Sequence, residues 1–265
     1  MSESITAISS PSPPSTYATV SFHKTNMIRL INFPDDINLS LQPVIIASWP
    51  PGLVSSGPVG GAYEFKVNGK PFGTVGGRQA VGGIRLLRNI FALLHNRSWE
   101  LVTPMAFSRR PTAKDTLIFR QLSPPLVPPS PVEWLALVPI RSDKLRVVYD
   151  VPDIKLSGAD ADHDYLGILI TSIKRTLEGG DWLDKGDWSH DSFEFKLKGS
   201  PWLSRGEASN KTRILLLRLL ETMEGHGWRL HTAVLQRTGT NDIRMTDTWY
   251  FIRERKDGSK GSKAQ

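Results

Sequence analysis

Tyr63-Glu-Phe-Lys-Val-Asn-Gly-Lys-Pro-Phe72 returns later in the chain as Phe193-Glu-Phe-Lys-Leu-Lys-Gly-Ser-Pro-Trp202. Five of the ten positions are identical (Glu, Phe, Lys, Gly, Pro), and three more exchange similar side chains. A repeat of this kind marks a structural unit used twice. The likeness runs on in both directions. Upstream, Met27-Ile-Arg-Leu-Ile-Asn-Phe-Pro34 answers to Leu145-Arg-Val-Val-Tyr-Asp-Val-Pro152; downstream, Trp99-Glu-Leu-Val-Thr-Pro-Met-Ala-Phe107 answers to Trp228-Arg-Leu-His-Thr-Ala-Val-Leu-Gln236. Both units close on a β-type segment, Asp115-Thr-Leu-Ile-Phe-Arg120 and Asp247-Thr-Trp-Tyr-Phe-Ile-Arg253. Each unit is then roughly 100 to 120 residues, the ordinary size of a domain.

A chain of 265 residues has room for two such units, each long enough to bury a core. The reading divides it into a first repeat over 17–122 and a second over 134–255, joined by a Pro-rich linker at 123–133 and flanked by tails at 1–16 and 256–265. The tails are too poor in packing residues to offset the entropy of ordering, and the linker prolines favour an extended spacer. Hydrophobic content of 39% and charge of 22% are globular values. No stretch reaches the roughly 20 apolar residues of a membrane span, and no secretory leader pattern opens the chain. Zero cysteines exclude disulfides, thiolate metal sites and cysteine nucleophiles. A cytoplasmic or nuclear setting is expected.

The net charge of +7 is unevenly shared. Residues 19–122 hold 12 Lys+Arg against 5 Asp+Glu, and residues 134–255 hold 18 against 18. A basic first copy and a second copy with an acidic stretch over 150–191 could dock within the chain, or head to tail between chains.

Within each copy the pattern reads strand, strand, helix, strand, helix, strand, strand. Leu166, Leu169, Ile170, Ile173 and Leu177 form one helical stripe ended by Gly179-Gly180. Its counterpart is expected from about Ser40 to Trp49, before Pro50-Pro51. Val81, Ile84, Leu87, Ile90, Phe91 and Leu94 predict the second helix of copy one, with Gly82-Gly83 implying a late start or a close approach. Leu215, Leu216, Leu219, Leu220 and Met223 predict its partner in copy two. Alternation puts Trp99, Leu101, Thr103, Met105 and Phe107 on one strand face and Trp228, Leu230, Thr232 and Val234 on another. Pro104 suggests an edge or a bulge. Helices on one side only give an α+β protein of two tandem open-faced sandwiches, mostly antiparallel. Two such units in one chain often pack about a pseudo-twofold axis.

Chemistry is sparser. In the repeated strand, Glu64, Lys66, Glu194 and Lys196 share the face away from the core, either as a paired wet surface or as ligand contacts kept in both copies. The glycine-rich stretches Gly57–Gly61 and Gly69–Gly77 lack a P-loop, since Gly69-Lys70 precedes Pro71. Asp160-Ala-Asp-His-Asp164 has the alternating acids of a calcium loop, but Tyr165 and Thr171 stand where Gly and Glu are required. The histidines show no metal-ligand spacing, and no cofactor or metal is expected. Arg85, Arg88, Arg109, Arg110 and Lys114, with Arg213 and Arg218 in copy two, could form a nucleic-acid surface beside exposed aromatics. His190-Asp191, aligned with Gly61-Ala62, offers an acid–base pair beside Glu194.

The pattern Glu194 to Trp202, Arg213 to Leu220, Gly227-Trp228 and Asp247 to Phe251, answered by Glu64 to Phe72, Trp99 and Asp115 to Phe119, resembles a group of uncharacterised, often duplicated proteins common in filamentous fungi. The resemblance implies no activity. Copy one departs from it at Phe72, Gly82-Gly83 and Ser98. The leading expectation is a non-enzymatic intracellular interaction module that holds a protein or a small acidic ligand between or across its copies. A single-stranded nucleic-acid binder is the alternative, and an enzyme with a cleft between the copies the second.

Overall fold

The computed structural model describes residues 16–73, 77–110, 113–122, 131–149, 161–236 and 246–254. Most of the linker and both tails lie outside them, as does Asp160. The first unit runs β1 (Tyr17–His23), β2 (Met27–Ile31), α1 (Asp35–Ser48), β3 (Leu53–Val59), β4 (Ala62–Val67), α2 (Arg78–Asn96), β5 (Trp99–Met105) and β6 (Thr116–Gln121). The second repeats this order as β7 (Val132–Ile140), β8 (Lys144–Tyr149), α3 (Ala161–Gly179), β9 (Leu183–Ser189), β10 (Ser192–Leu197), α4 (Ala208–Gly225), β11 (Arg229–Val234) and β12 (Thr248–Glu254). Each unit forms a six-stranded antiparallel sheet, ordered β3-β4-β2-β1-β6-β5 and β11-β12-β7-β8-β10-β9. Two tandem α+β units are therefore present.

Each copy has one strand more than the pattern predicts. The additional strands, β3 and β9, are sheet edges with no buried residue. With one side of the strand unpaired and little core to face, neither needs alternating apolar residues. The glycine-rich stretch after Gly57 is the β3–β4 hairpin, whose two turn residues Gly60 and Gly61 have φ of 55° and 81°. His190 and Asp191 form the same turn in copy two, with φ of 52° and 58°. They therefore correspond to Gly60-Gly61, not Gly61-Ala62, and their backbones make the double left-handed bend that twists a two-residue hairpin correctly.

α1 starts at Asp35, five residues before the expected Ser40, with Asp35 and Asp36 in its first turn facing the positive end of the helix dipole. Its exposed Pro43 sits within the helix. α2 has no late start: it is continuous through Gly82-Gly83 because both glycines lie against neighbours. A Cβ on Gly83 would stand 2.2 Å from the Pro71 carbonyl oxygen, and one on Gly82 2.8 Å from the Trp49 ring.

The strands after the helices each change faces. In β5 the register slips between Leu101 and Thr103, and in β11 between Leu230 and Thr232. One extra residue, Val102 or His231, reverses the side-chain phase. Trp99 and Leu101 thus pair with Gln121 and Phe119 on the core side, whereas Thr103 and Met105 pair with Ile118 and Thr116 on the other. Trp228 joins the core beneath α4, while Val234 joins the core around α2. The single face expected for each strand is therefore two half-faces, and Pro104 lies just past the slip on an edge strand.

The copies are not related by a twofold. α2 packs on its own sheet and also on the far face of the second sheet, through β7 and β8. Ten of its nineteen residues are buried, including Ile84, Leu87, Arg88 and Phe91. In α4 only Leu215, Leu219 and Met223 are buried, all toward its own sheet. Accordingly β7 is buried on both faces, Leu135 and Leu137 under α3 and α4, Trp134, Ala136 and Val138 against α2. Buried polar bonds fasten the contact: Gln236 Nε2 donates to the Gly83 carbonyl at 3.3 Å, and the Tyr250 hydroxyl donates to Gln236 Oε1.

The equivalent face of the first sheet carries no helix, and its residues show why. Strand registers align Tyr17 with Trp134, Thr19 with Ala136, Ser21 with Val138, His23 with Ile140 and Arg120 with Ile252. Each of these positions is more polar in copy one, while Ile31 and Ile118 answer to Val148 and Tyr250; the same registers align Ile28 with Leu145, one residue from the match of Met27 with Leu145 read from the sequence. The stack ends there as a repeat array ends in a polar capping unit.

Two pairs of substitutions check this layering by denaturant unfolding. Phe91→Ala should cost about 3–5 kcal/mol, as for a fully buried ring, and its counterpart Leu220→Ala about 1–2 kcal/mol. Gly83→Ala should destabilise by about 1–3 kcal/mol through overpacking, whereas Gly167→Ala, with nothing within 4 Å of the new Cβ, should stabilise α3 by about 0.5–1 kcal/mol.

Candidate functional site

The repeated carboxylates lie where the alternation puts them, but in unlike surroundings. Glu64, on the open face of the first sheet, accepts from Arg29 Nε at 2.7 Å, with Lys66 exposed beside it. Glu194 accepts from Arg146 Nη2 at 2.8 Å and from Lys144 Nζ, and Arg146 is only 4% exposed. Burial works to raise the Glu194 pKa, yet the hydrogen bonds from Lys144 and Arg146 outweigh it and hold the carboxyl below its usual range. Lys196 pairs with Asp184 at 2.9 Å.

The basic residues do not converge. Arg85 bonds the Asp191 carbonyl at 2.7 Å and so ties α2 to the β9–β10 turn, while Arg88 is buried and bonds Asn89 Oδ1 at 2.7 Å. Arg109 and Arg110 are exposed beyond β5, and Lys114 donates to the Lys24 carbonyl. Arg213 bonds Ser209 on α4, and Arg218 pairs with Glu221 one turn on. Three separate parts of the molecule thus hold the seven residues.

A different group is brought together. Near the C-terminal end of α2, β5 and β11 approach each other and the two units enclose a cavity of about 550 Å³. Phe91 and His95 come from α2, Trp99 from β5, Phe119 from β6, Trp134 from β7 and His231 from β11. Trp134 is the hub. Phe91 stacks on it at 5.7 Å between centroids with planes 17° apart; His231 meets it edge-on at 4.9 Å and His95 at 6.2 Å. Its indole Nε1 is buried and has no hydrogen-bond acceptor among the described residues. The nitrogen is sealed from the cavity, so this unmatched donor is a cost of about 1–3 kcal/mol carried by the packing of the junction.

The bulge in β11 makes this site. His231 is the extra residue, and its ring packs into the junction against Phe91 and Trp134. Burial, followed by the positive charges of His95 and Arg229, pushes its pKa down to about 4 against a weaker opposing pull from Glu100. The ring is neutral at pH 7. At the rim, Arg229 is exposed and Glu100 pairs with Arg120.

Sequence reasoning passed over these residues because they stand at unrelated positions in the chain. The signal available was divergence inside the repeat: His231 answers to Val102, Trp134 to Tyr17 and His95 to Glu224. The cavity is a property of the pair, not of either copy.

A domain-family model matches the chain twice, over residues 16–120 and 133–252, and that domain is uncharacterised. No curated protein and no solved structure gives a significant match. No helix among the described residues is long and apolar enough to cross a membrane.

A neutral buried histidine sets an acid limit. The folded pKa of about 4 lies below the unfolded value of 6.5, so the protein has its full stability from this group above pH 6.5 and loses it as pH falls through 4. The loss amounts to about 3 kcal/mol at most. Urea midpoints between pH 8 and pH 4 should show this limb, and His231→Gln should flatten it.

Proposed function

As the chain belongs to the domain family whose model matches both its halves, it is one module written twice, and we propose that the copies act jointly as a non-catalytic receptor for a small aromatic molecule held in the junction cavity. The observation that carries this reading is a cavity of about 550 Å³ whose aromatic wall, Phe91, Trp99, Phe119 and Trp134, is supplied by both units. Its volume falls in the ~300–1,000 Å³ range of small-molecule sites, and an aromatic wall with a few aimed polar groups is their usual composition. Flat rings gain from stacking and edge contacts with Phe91, Trp99 and Trp134. A cytoplasmic or nuclear setting belongs to the same proposal.

Screening small aromatic compounds by saturation-transfer NMR, with tryptophan fluorescence as the second readout, tests it. Micromolar to millimolar ligands should emerge. Trp134→Leu, which takes away a flat aromatic wall, should weaken them about five- to tenfold in a variant that still unfolds cooperatively. An empty screen, or ligands indifferent to Trp134→Leu, would contradict the reading. Tight, salt-sensitive binding of random single-stranded RNA in place of small aromatics would favour a nucleic-acid role.

A further inference from the structure

Resting on that reading, we infer that the ligand is a planar aromatic carboxylate, its ring between the aromatic walls and its anion directed at His231 and Arg229. The polar groups of the cavity are unevenly divided. Arg229 offers an exposed guanidinium with no ion-pair partner among the described residues, and His95 and His231 line the same cavity with imidazoles. The acid of the lining, Glu100, has its charge taken by Arg120 on the open side of β5. A site rich in donors is completed by a ligand rich in acceptors, and a carboxylate provides about four lone-pair positions in one plane. A neutral amide of the same shape provides fewer, and its NH₂ finds few acceptors there.

Burying an anion is costly unless a cation or several hydrogen bonds meet it. Arg229 approaches from the rim, and His231 can add a second charge by taking up a proton. The charged or titratable groups facing His231 are His95 from α2, Glu100 from β5 and Arg229 from its own strand; β7 and β12 present Trp134 and Ile252, which do not titrate. With the cavity empty, burial and the neighbouring cations keep the ring neutral. An arriving carboxylate reverses the balance, so binding is coupled to proton uptake and strengthens as pH falls.

The experiment is calorimetric titration of the full chain with 2-naphthoate and with its neutral isostere 2-naphthamide, at pH 7.5 and pH 5.5. The acid remains ionised at both. Naphthoate should bind at least tenfold more tightly than the amide at pH 5.5, and about three- to tenfold more tightly at pH 5.5 than at 7.5, with the amide unaffected by pH. Arg229→Gln and His231→Gln should each lower naphthoate affinity at least fivefold and leave the amide within twofold. If the amide binds as well as the acid, or naphthoate affinity is flat with pH, the carboxylate assignment is overturned while the receptor reading stands. If neither compound binds, the carboxylate assignment is overturned, and the receptor reading falls with it only if the screen of small aromatics is empty as well.

Discussion

Everything distinctive in this molecule follows from the burial of α2 on both sides. A helix that covers one sheet needs a single apolar stripe; α2 carries apolar residues around most of its circumference and uses a second sheet to remove them from water. That requirement joins the repeats. It explains why β7 is apolar on both faces, why Gln236 and Tyr250 are aimed at the helix backbone, and why the β9–β10 turn is tied to Arg85. The cavity belongs to the same junction, near the end of α2 where β5 and β11 come together.

Duplication supplied two equal modules, and asymmetry made them one body. Had both sheets kept the apolar far face of the second and both helices the apolar circumference of α2, stacking would have no natural end and chains would assemble head to tail. Instead the far face of the first sheet is more polar at Tyr17, Thr19, Ser21, His23 and Arg120, and α4 places Arg213, Asn210 and Glu224 where α2 places Ile84, Val81 and His95. The basic character of the first copy has the same origin in part. Arg120 stands on a face that is solvated here, where copy two buries Ile252; Arg29, by contrast, has its counterpart in the buried, ion-paired Arg146.

Much of this was legible in the residues, and what was not has physical causes. The repeated Glu-Phe-Lys strand, the helical stripes and the closing β segments each report a buried face, so periodicity finds them. β3 and β9 contribute little to a core and leave no period. The slips at Val102 and His231 hide a change of face inside runs that otherwise alternate. Least legible was the site. Glu64 and Glu194 caught attention because they repeat, yet identity between copies records the shared scaffold; the cavity is lined by residues that the scaffold does not share. His231 is visible only by asking why one copy has a histidine where the other has Val102. Arg88, read as a surface cation, is enclosed because α2 has no solvent side at that position.

Hydrogen exchange resolved by residue on the intact chain addresses the enclosure of α2 directly. If both sheets cover it, the amides of residues 84–94 should exchange only through global unfolding, and those of 213–223 in α4 at least tenfold faster, through local opening. Equal protection of the two helices, or free exchange along α2, would contradict the account, and with it the shared cavity that depends on the two units forming one body.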